Sequence, residues 1–183
     1  MIPLLVVIVL IALLVGVMVK VYNGLVTKRN AVDNAWAQID VQLKRRHDLI
    51  PNLVETVKGY AAHERQTLEA VLQARAGAMQ VAGPGERARA ESVLSSAIGG
   101  LFAVAEAYPQ LQANQNFAAL QEELSTSENR IAYSRQYYND AVLTYNNAIH
   151  TIPANMVAGV TGFHEREYFQ VADAERGPTQ VRF

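Results

Sequence analysis

The stretch VDNAWAQIDVQLKRRHDLIPNLVETV, Val32–Val57, decides the fold. Val32, Ile39 and Leu53 are separated by seven or fourteen residues, and Leu25 extends that series upstream. Trp36, Leu43, Ile50 and Val57 form a second series spaced by seven. Interleaved, the two advance by alternating steps of four and three, with Arg46 taking one position of the stripe. A period of 3.5 residues winds one apolar stripe along a helix, and such stripes pack on partner helices at about 20°. The reading is therefore a long helix in a bundle.

Working outward, the same step recurs twice. Ala90, Leu94, Ala97, Leu101, Val104 and Tyr108 keep it in the middle of the chain. Leu120, Leu124, Ser127, Ile131, Ser134, Tyr138, Ala141, Tyr145, Ala148 and Ile152 keep it near the end. Hydroxyl-bearing residues in that last stripe predict close helix contact with side-chain hydrogen bonds, and not a purely apolar seam. No Gly or Pro falls between Gly24 and Pro51 or between Pro109 and Pro153, whereas Gly83–Pro84–Gly85 and Tyr108–Pro109 with QLQANQN read as turns or loops. Pro51 is the exception inside a helix. A proline there removes one hydrogen bond and crowds the preceding turn, yet the apolar register stays in phase from Leu43 to Val57. Either the helix kinks and continues, which we favour, or a new one starts with Asp48 as its N-cap. After Pro153 the helical period is lost. Phe163, Tyr168 and Phe169 predict a tail that docks on the bundle, since disordered tails are poor in aromatics.

The N-terminus carries a different signal. None of the first 19 residues is charged, and IPLLVVIVLIALLVGVMV, residues 2–19, is long enough as a helix to cross a hydrocarbon layer of about 30 Å. No Lys or Arg precedes the run and no A-x-A pattern follows it, so an uncleaved anchor in the lipid bilayer is preferred to a cleaved signal. Lys20, Lys28 and Arg29 follow the span directly. The positive-inside rule then places the C-terminal domain in the cytoplasm, although the rule weakens when a long domain follows. The expected organisation is an anchor over residues 1–21, a helical bundle over 22–153 and a partly docked tail over 154–183.

Composition restricts the chemistry. Sixteen Lys and Arg against 17 Asp and Glu give the 183-residue chain a net charge of −1, which argues against nucleic acid as a partner. The absence of cysteine excludes disulfides, thiolate zinc sites and cysteine nucleophiles. His63–Glu64 and His164–Glu165 each begin an H-E pair, but Thr67 and Tyr168 stand where a zinc peptidase needs a second histidine. Neither a phosphate-binding glycine loop nor a nucleophile elbow occurs. No catalytic residue, cofactor-binding residue or metal ligand is assigned.

Two polar stretches remain. One runs Lys44–Arg45–Arg46–His47–Asp48, and the other includes Glu128, Tyr133, Tyr137, Tyr138, Asp140, Tyr145 and Asn146. The first could face anionic lipid and the second a protein partner; the plainer reading, which we prefer, makes both into packing networks that satisfy themselves. A straight helix would hold Lys44–Arg46 about 40 Å beyond the anchor, out of reach of headgroups. Arg46, if buried, needs a carboxylate such as Glu128 or Asp140.

Three segments also resemble the bacterial LemA family: YNGLVTKRNAVDNAWAQIDVQLKRRHDLIPNLVETVKGYAAHE (Tyr22–Glu64), YPQLQANQNFAALQEELSTSENRIAYSRQYYNDAVLTYNNAIHTIP (Tyr108–Pro153) and GFHEREYF (Gly162–Phe169). The Ala-rich middle from Leu68 to Arg89 and the tail after Val171 match loosely. The resemblance implies an all-α protein, an N-terminal transmembrane helix followed by an antiparallel bundle of long helices, in the bacterial cell membrane as a single-pass protein. It implies no activity and brings no catalytic residues. The expected function is a non-enzymatic, self-associating membrane scaffold or adaptor. The alternative is an accessory subunit of a membrane protease or envelope-stress system, bound to another membrane protein.

Overall fold

A computed structural model of the chain describes residues 2–170, in which six helices and no strand occur. They are α1 (Ile2–Lys58), α2 (Arg65–Gln80), α3 (Pro84–Glu106), α4 (Pro109–Gln112), α5 (Gln115–His150) and α6 (Ala154–Thr161). The all-α class expected from the heptads is what forms. The chain divides into two compact units, each described by itself.

The first unit holds residues 2–38 and 136–167. Every side chain from Ile2 to Lys20 is exposed, and α1 is long and apolar enough there to cross a membrane. Its buried positions begin at Leu25 and continue at Val32 and Ala35. From α5 come Tyr138, Val142, Tyr145 and Ile149. Trp36 is half-buried, not a full seam residue; its ring tilts against Tyr138 with centroids 5.3 Å apart. Where loss of period predicted an irregular tail, α6 forms a short helix that buries Val157 and Ala158. Gly162 ends it at φ 75°, a left-handed conformation that glycine adopts without steric cost. Phe163 then docks as expected, buried and edge-on to Tyr22 at 5.7 Å. Ile152, predicted on the seam, is exposed because α5 has already ended at His150.

The second unit holds residues 39–135 with 168–170. Arg75 bonds the His47 carbonyl, Arg87 pairs with Asp40, and Arg46 meets Glu91. These pairings run α2 antiparallel and α3 parallel to the 39–58 part of α1. Arg45 with Glu123 and Asn114 with Tyr60 set the 115–135 part of α5 antiparallel again. The result is an up-down-up-down bundle around Ile50, Leu53, Val57, Val71, Leu94, Leu101, Leu111 and Leu124. Pro84 and Gly85, read as part of a turn, are the first residues of α3, with proline at a position where its missing N–H is harmless. Asn114 caps α5: its Oδ1 accepts from the backbone N–H groups of Asn116 at 2.8 Å and Phe117 at 3.1 Å.

Helix α1 continues through Pro51, as favoured, and Asp48 lies inside it, bonded to Lys44 at 3.0 Å. Asp48 as an N-cap is thereby ruled out. Proline 51 cannot donate to the carbonyl of residue 47, four positions back. That orphaned His47 oxygen accepts from Arg75 Nε at 2.7 Å instead. A side chain from α2 thus replaces the bond that the proline removes.

Candidate functional site

The basic stretch of α1 divides by position. Lys44 and Arg45 are exposed and paired, Lys44 with Asp48 and Arg45 with Glu123. Arg46 and His47 are buried: Arg46 falls on the α1 stripe that the heptads mark, and His47 flanks it, seven residues before buried Val54. A buried guanidinium is costly unless it is paired and its N–H groups are satisfied. Arg46 Nη1 lies 3.0 Å from Glu128 and 3.5 Å from Glu91, while Nη2 donates to Ser95 Oγ at 2.7 Å. The other oxygen of Glu91 is 2.8 Å from His47 Nε2. Glu128 is thus one of the two partners foreseen for Arg46.

Glu91, also buried, is the centre of this cluster, and sequence reading missed it. The stripe placed on Ala90, Ala97 and Val104 is half-buried; the fully buried positions lie one residue on, at Glu91, Ile98 and Ala105. A signal was present, since Glu91 precedes Leu94, Ile98 and Leu101 by three, seven and ten residues. A carboxylate on a heptad seam matches an arginine on another. Beside the cluster, a cleft of about 440 Å³ is lined by Arg46, Ser95, Ile98, Phe102, Leu124 and Glu128, among others. The polar ends of its Arg46, Ser95 and Glu128 are bonded to one another.

In the first unit, the Tyr/Asn stretch has a different task. Tyr138 donates to the Glu167 carbonyl at 2.8 Å and Tyr145 to the His164 carbonyl at 3.0 Å. Asn146 accepts from the Arg166 N–H and donates to the Arg166 carbonyl, both at 2.9 Å. Arg166 also reaches Asp33 at 2.9 Å. The side chains of α5 therefore clamp the backbone of an irregular segment whose peptide groups have no ladder of their own. Burial pushes the Tyr138 phenol up to about 12; Arg166 pulls the other way, while Glu167 and Asp33 add to the rise. Burial also raises Tyr145, again against Arg166 and Arg29.

Other expectations resolve unevenly. His150 bonds Glu165 at 2.6 Å, and His63 and His164 are exposed. Ser127 is buried, but its hydroxyl has no hydrogen-bond partner among the described residues, so position 127 supplies small size and not the expected bond. Phe169 is buried beneath the Arg135 guanidinium, 5.1 Å from the ring centre. The expected tail beyond residue 170 lies outside the described residues. Among the described residues, no group of three or more His, Asp or Glu is placed to hold a metal ion.

A long apolar leading helix, a four-helix bundle and polar groups spent on internal pairing define a helical membrane protein. The model of the LemA family matches residues 35–183, and the chain belongs to that family. It is 29% identical over 183 aligned residues to magnetosome protein MamQ 2 of Paramagnetospirillum magneticum, covering 86% of this chain and 67% of that protein. MamQ of Magnetospirillum gryphiswaldense is 28% identical with the same coverage. Protein LemA of Metamycoplasma hominis is 27% identical over 169 residues, covering 90% of this chain and 77% of that protein.

Proposed function

We propose that this LemA-type membrane protein is a single-pass scaffold or adaptor that works by contact and associates with copies of itself. The observation that carries this reading is that the buried charged groups Arg46, His47 and Glu91, and the buried Tyr138 and Tyr145, are paired within the chain. Arg46, Glu91, His47, Ser95 and Glu128 bond one another, and Tyr138, Tyr145 and Asn146 bond the protein's own backbone. A catalytic constellation instead aims an acid, base or nucleophile at a space that substrate can enter. On α2 the exposed Leu72 and Met79 stand seven residues apart, on one face of the helix, and support self-association. Residues 2–19 form the anchor, and Lys20, Lys28 and Arg29 favour a cytoplasmic bundle.

Two experiments test these parts. Full-length protein in detergent at micromolar concentration should size as more than one chain; a strict monomer removes self-association and leaves the accessory-subunit reading. Protease added to spheroplasts should spare the bundle, whereas its digestion from outside overturns the orientation.

A further inference from the structure

The first unit leaves one apolar surface uncovered. From Thr151 to Phe163 the sequence TIPANMVAGVTGF contains no charged residue. Within it, α6 buries Val157 and Ala158 and turns Met156 and Val160, one helical turn apart, outward at 68% and 80% exposure. Ile152, just before the helix, is 82% exposed. Large apolar side chains this open, grouped on a charge-free helix, mark a contact surface and not ordinary surface scatter.

Position in the unit indicates what covers it. The helix ends at Gly162, and the next residue, Phe163, packs its ring 5.7 Å from that of Tyr22. Tyr22 stands three residues past Val19, the last of the uncharged run, a rise of about 4.5 Å along the helix. Headgroup layers extend roughly 5–8 Å beyond the hydrocarbon on each side. Phe163 therefore lies at headgroup depth when the span is inserted, and α6, about 12 Å long, lies next to it in the chain. Lys20 stands about 1.5 Å past the run, among the headgroups, while Lys28 and Arg29, the latter over the Phe163 ring at 5.2 Å, lie about 14–15 Å past it, within the range over which anionic headgroups attract cations.

We infer that α6 is an interfacial helix, which lays Met156 and Val160, with Ile152, into the headgroup–acyl boundary of the same bilayer that residues 2–19 cross. The inference rests on the anchor reading above. Exposed Tyr22 fits that depth, because its amphipathic ring favours the membrane–water boundary, whereas buried Phe163 serves to hold the end of α6 against it. A second contact of this kind fixes the height of the first unit and its rotation about the span, which a lone helix leaves free.

The chain contains no cysteine, so single labels can be placed without background. Full-length Met156→Cys, Val160→Cys, Ile8→Cys and Val93→Cys variants, each carrying an environment-sensitive fluorophore, are reconstituted into phosphatidylcholine vesicles containing phosphatidylglycerol. Spin labels are carried on lipid headgroups or in mid-chain. Expected is a blue shift and loss of most emission to headgroup quencher at 156 and 160, loss to mid-chain quencher at 8, and neither effect at 93. If position 8 is quenched while 156 and 160 stay as wet and bright as 93, the interfacial helix is overturned and the anchor stands. Labels at 156 and 160 that are shielded from water yet unquenched by lipid indicate a protein partner and overturn it equally. If position 8 fails to meet lipid as well, the anchor falls and the inference falls with it.

Discussion

The two units solve the same problem with different chemistry. In the 39–135 unit, polar groups inside the bundle are ionic and pair side chain to side chain, with Arg46 between Glu91 and Glu128. In the unit of residues 2–38 and 136–167, they are mostly neutral and pair side chain to backbone, as Tyr138, Tyr145 and Asn146 do with residues 164–167. Packed helices satisfy most of their own peptide groups, so polar side chains there mainly serve one another; the His47 carbonyl freed by Pro51 and met by Arg75 is an exception. An irregular segment brings bare N–H and C=O groups that must be met from outside. Buried ions make the first solution sensitive to losing one partner, whereas neutral hydroxyls make the second sensitive to high pH.

The largest effect should come from breaking the ionic set. Arg46→Met leaves Glu91 buried without its guanidinium and should cost about 3–5 kcal/mol in urea unfolding. Adding Glu91→Met should recover much of that loss, since an apolar pair of similar volume is often neutral or better. A single variant as stable as wild type would show that the cluster carries no such charge.

Next comes the pH response of the first unit. Tyr138 ionises near 10 when unfolded and at about 12 when folded. Between those values the unfolded chain releases a proton that the folded chain retains. Stability from this group is therefore complete below pH 10 and falls by about 2–3 kcal/mol as pH rises through 12. Tyr138→Phe should flatten that fall, at the cost of about 1 kcal/mol at neutral pH for the lost bond to Glu167. An unchanged pH slope in the variant would contradict the assignment.

Trp36→Ala should cost about 2 kcal/mol, below the 3–5 typical of a fully buried aromatic, because the ring is half-buried against Tyr138. Thermal unfolding distinguishes the two values. The smallest effect belongs to the proline-freed carbonyl. Arg75→Ala should destabilise by about 1–2 kcal/mol by leaving the His47 oxygen unbonded. Pro51→Ala in the same chain should rescue it, since alanine restores the helical N–H; additive losses in that double-mutant cycle would show the two residues to be uncoupled.

Helix class and most of the α1 seam were legible, because large apolar residues set the period: Leu25, Val32, Ile39, Leu43, Ile50, Leu53 and Val57 are all buried. Errors arose where the marker was small. Ala90, Ala97, Ala141 and Ala148 fit the stripe as well as their neighbours, and burial instead falls on Glu91, Ile98, Val142 and Ile149. That one-residue drift hid Glu91, and with it the centre of the polar cluster. Helix α6 was illegible for a related reason: an eight-residue segment containing glycine has too little length to show a period. The Arg75 bond to His47 follows from Pro51 in principle, but which side chain reaches the freed oxygen depends on how α2 packs.

The most direct test of the proposal that this protein works by contact is the mass of the full-length chain extracted from native membranes in polymer-bounded lipid discs, wild type beside Arg46→Met/Glu91→Met. Expected is the same multi-chain mass for both, because the cluster holds the fold and not the function. A single-chain mass for wild type, or an assembly that falls apart in the folded double variant, would contradict that expectation.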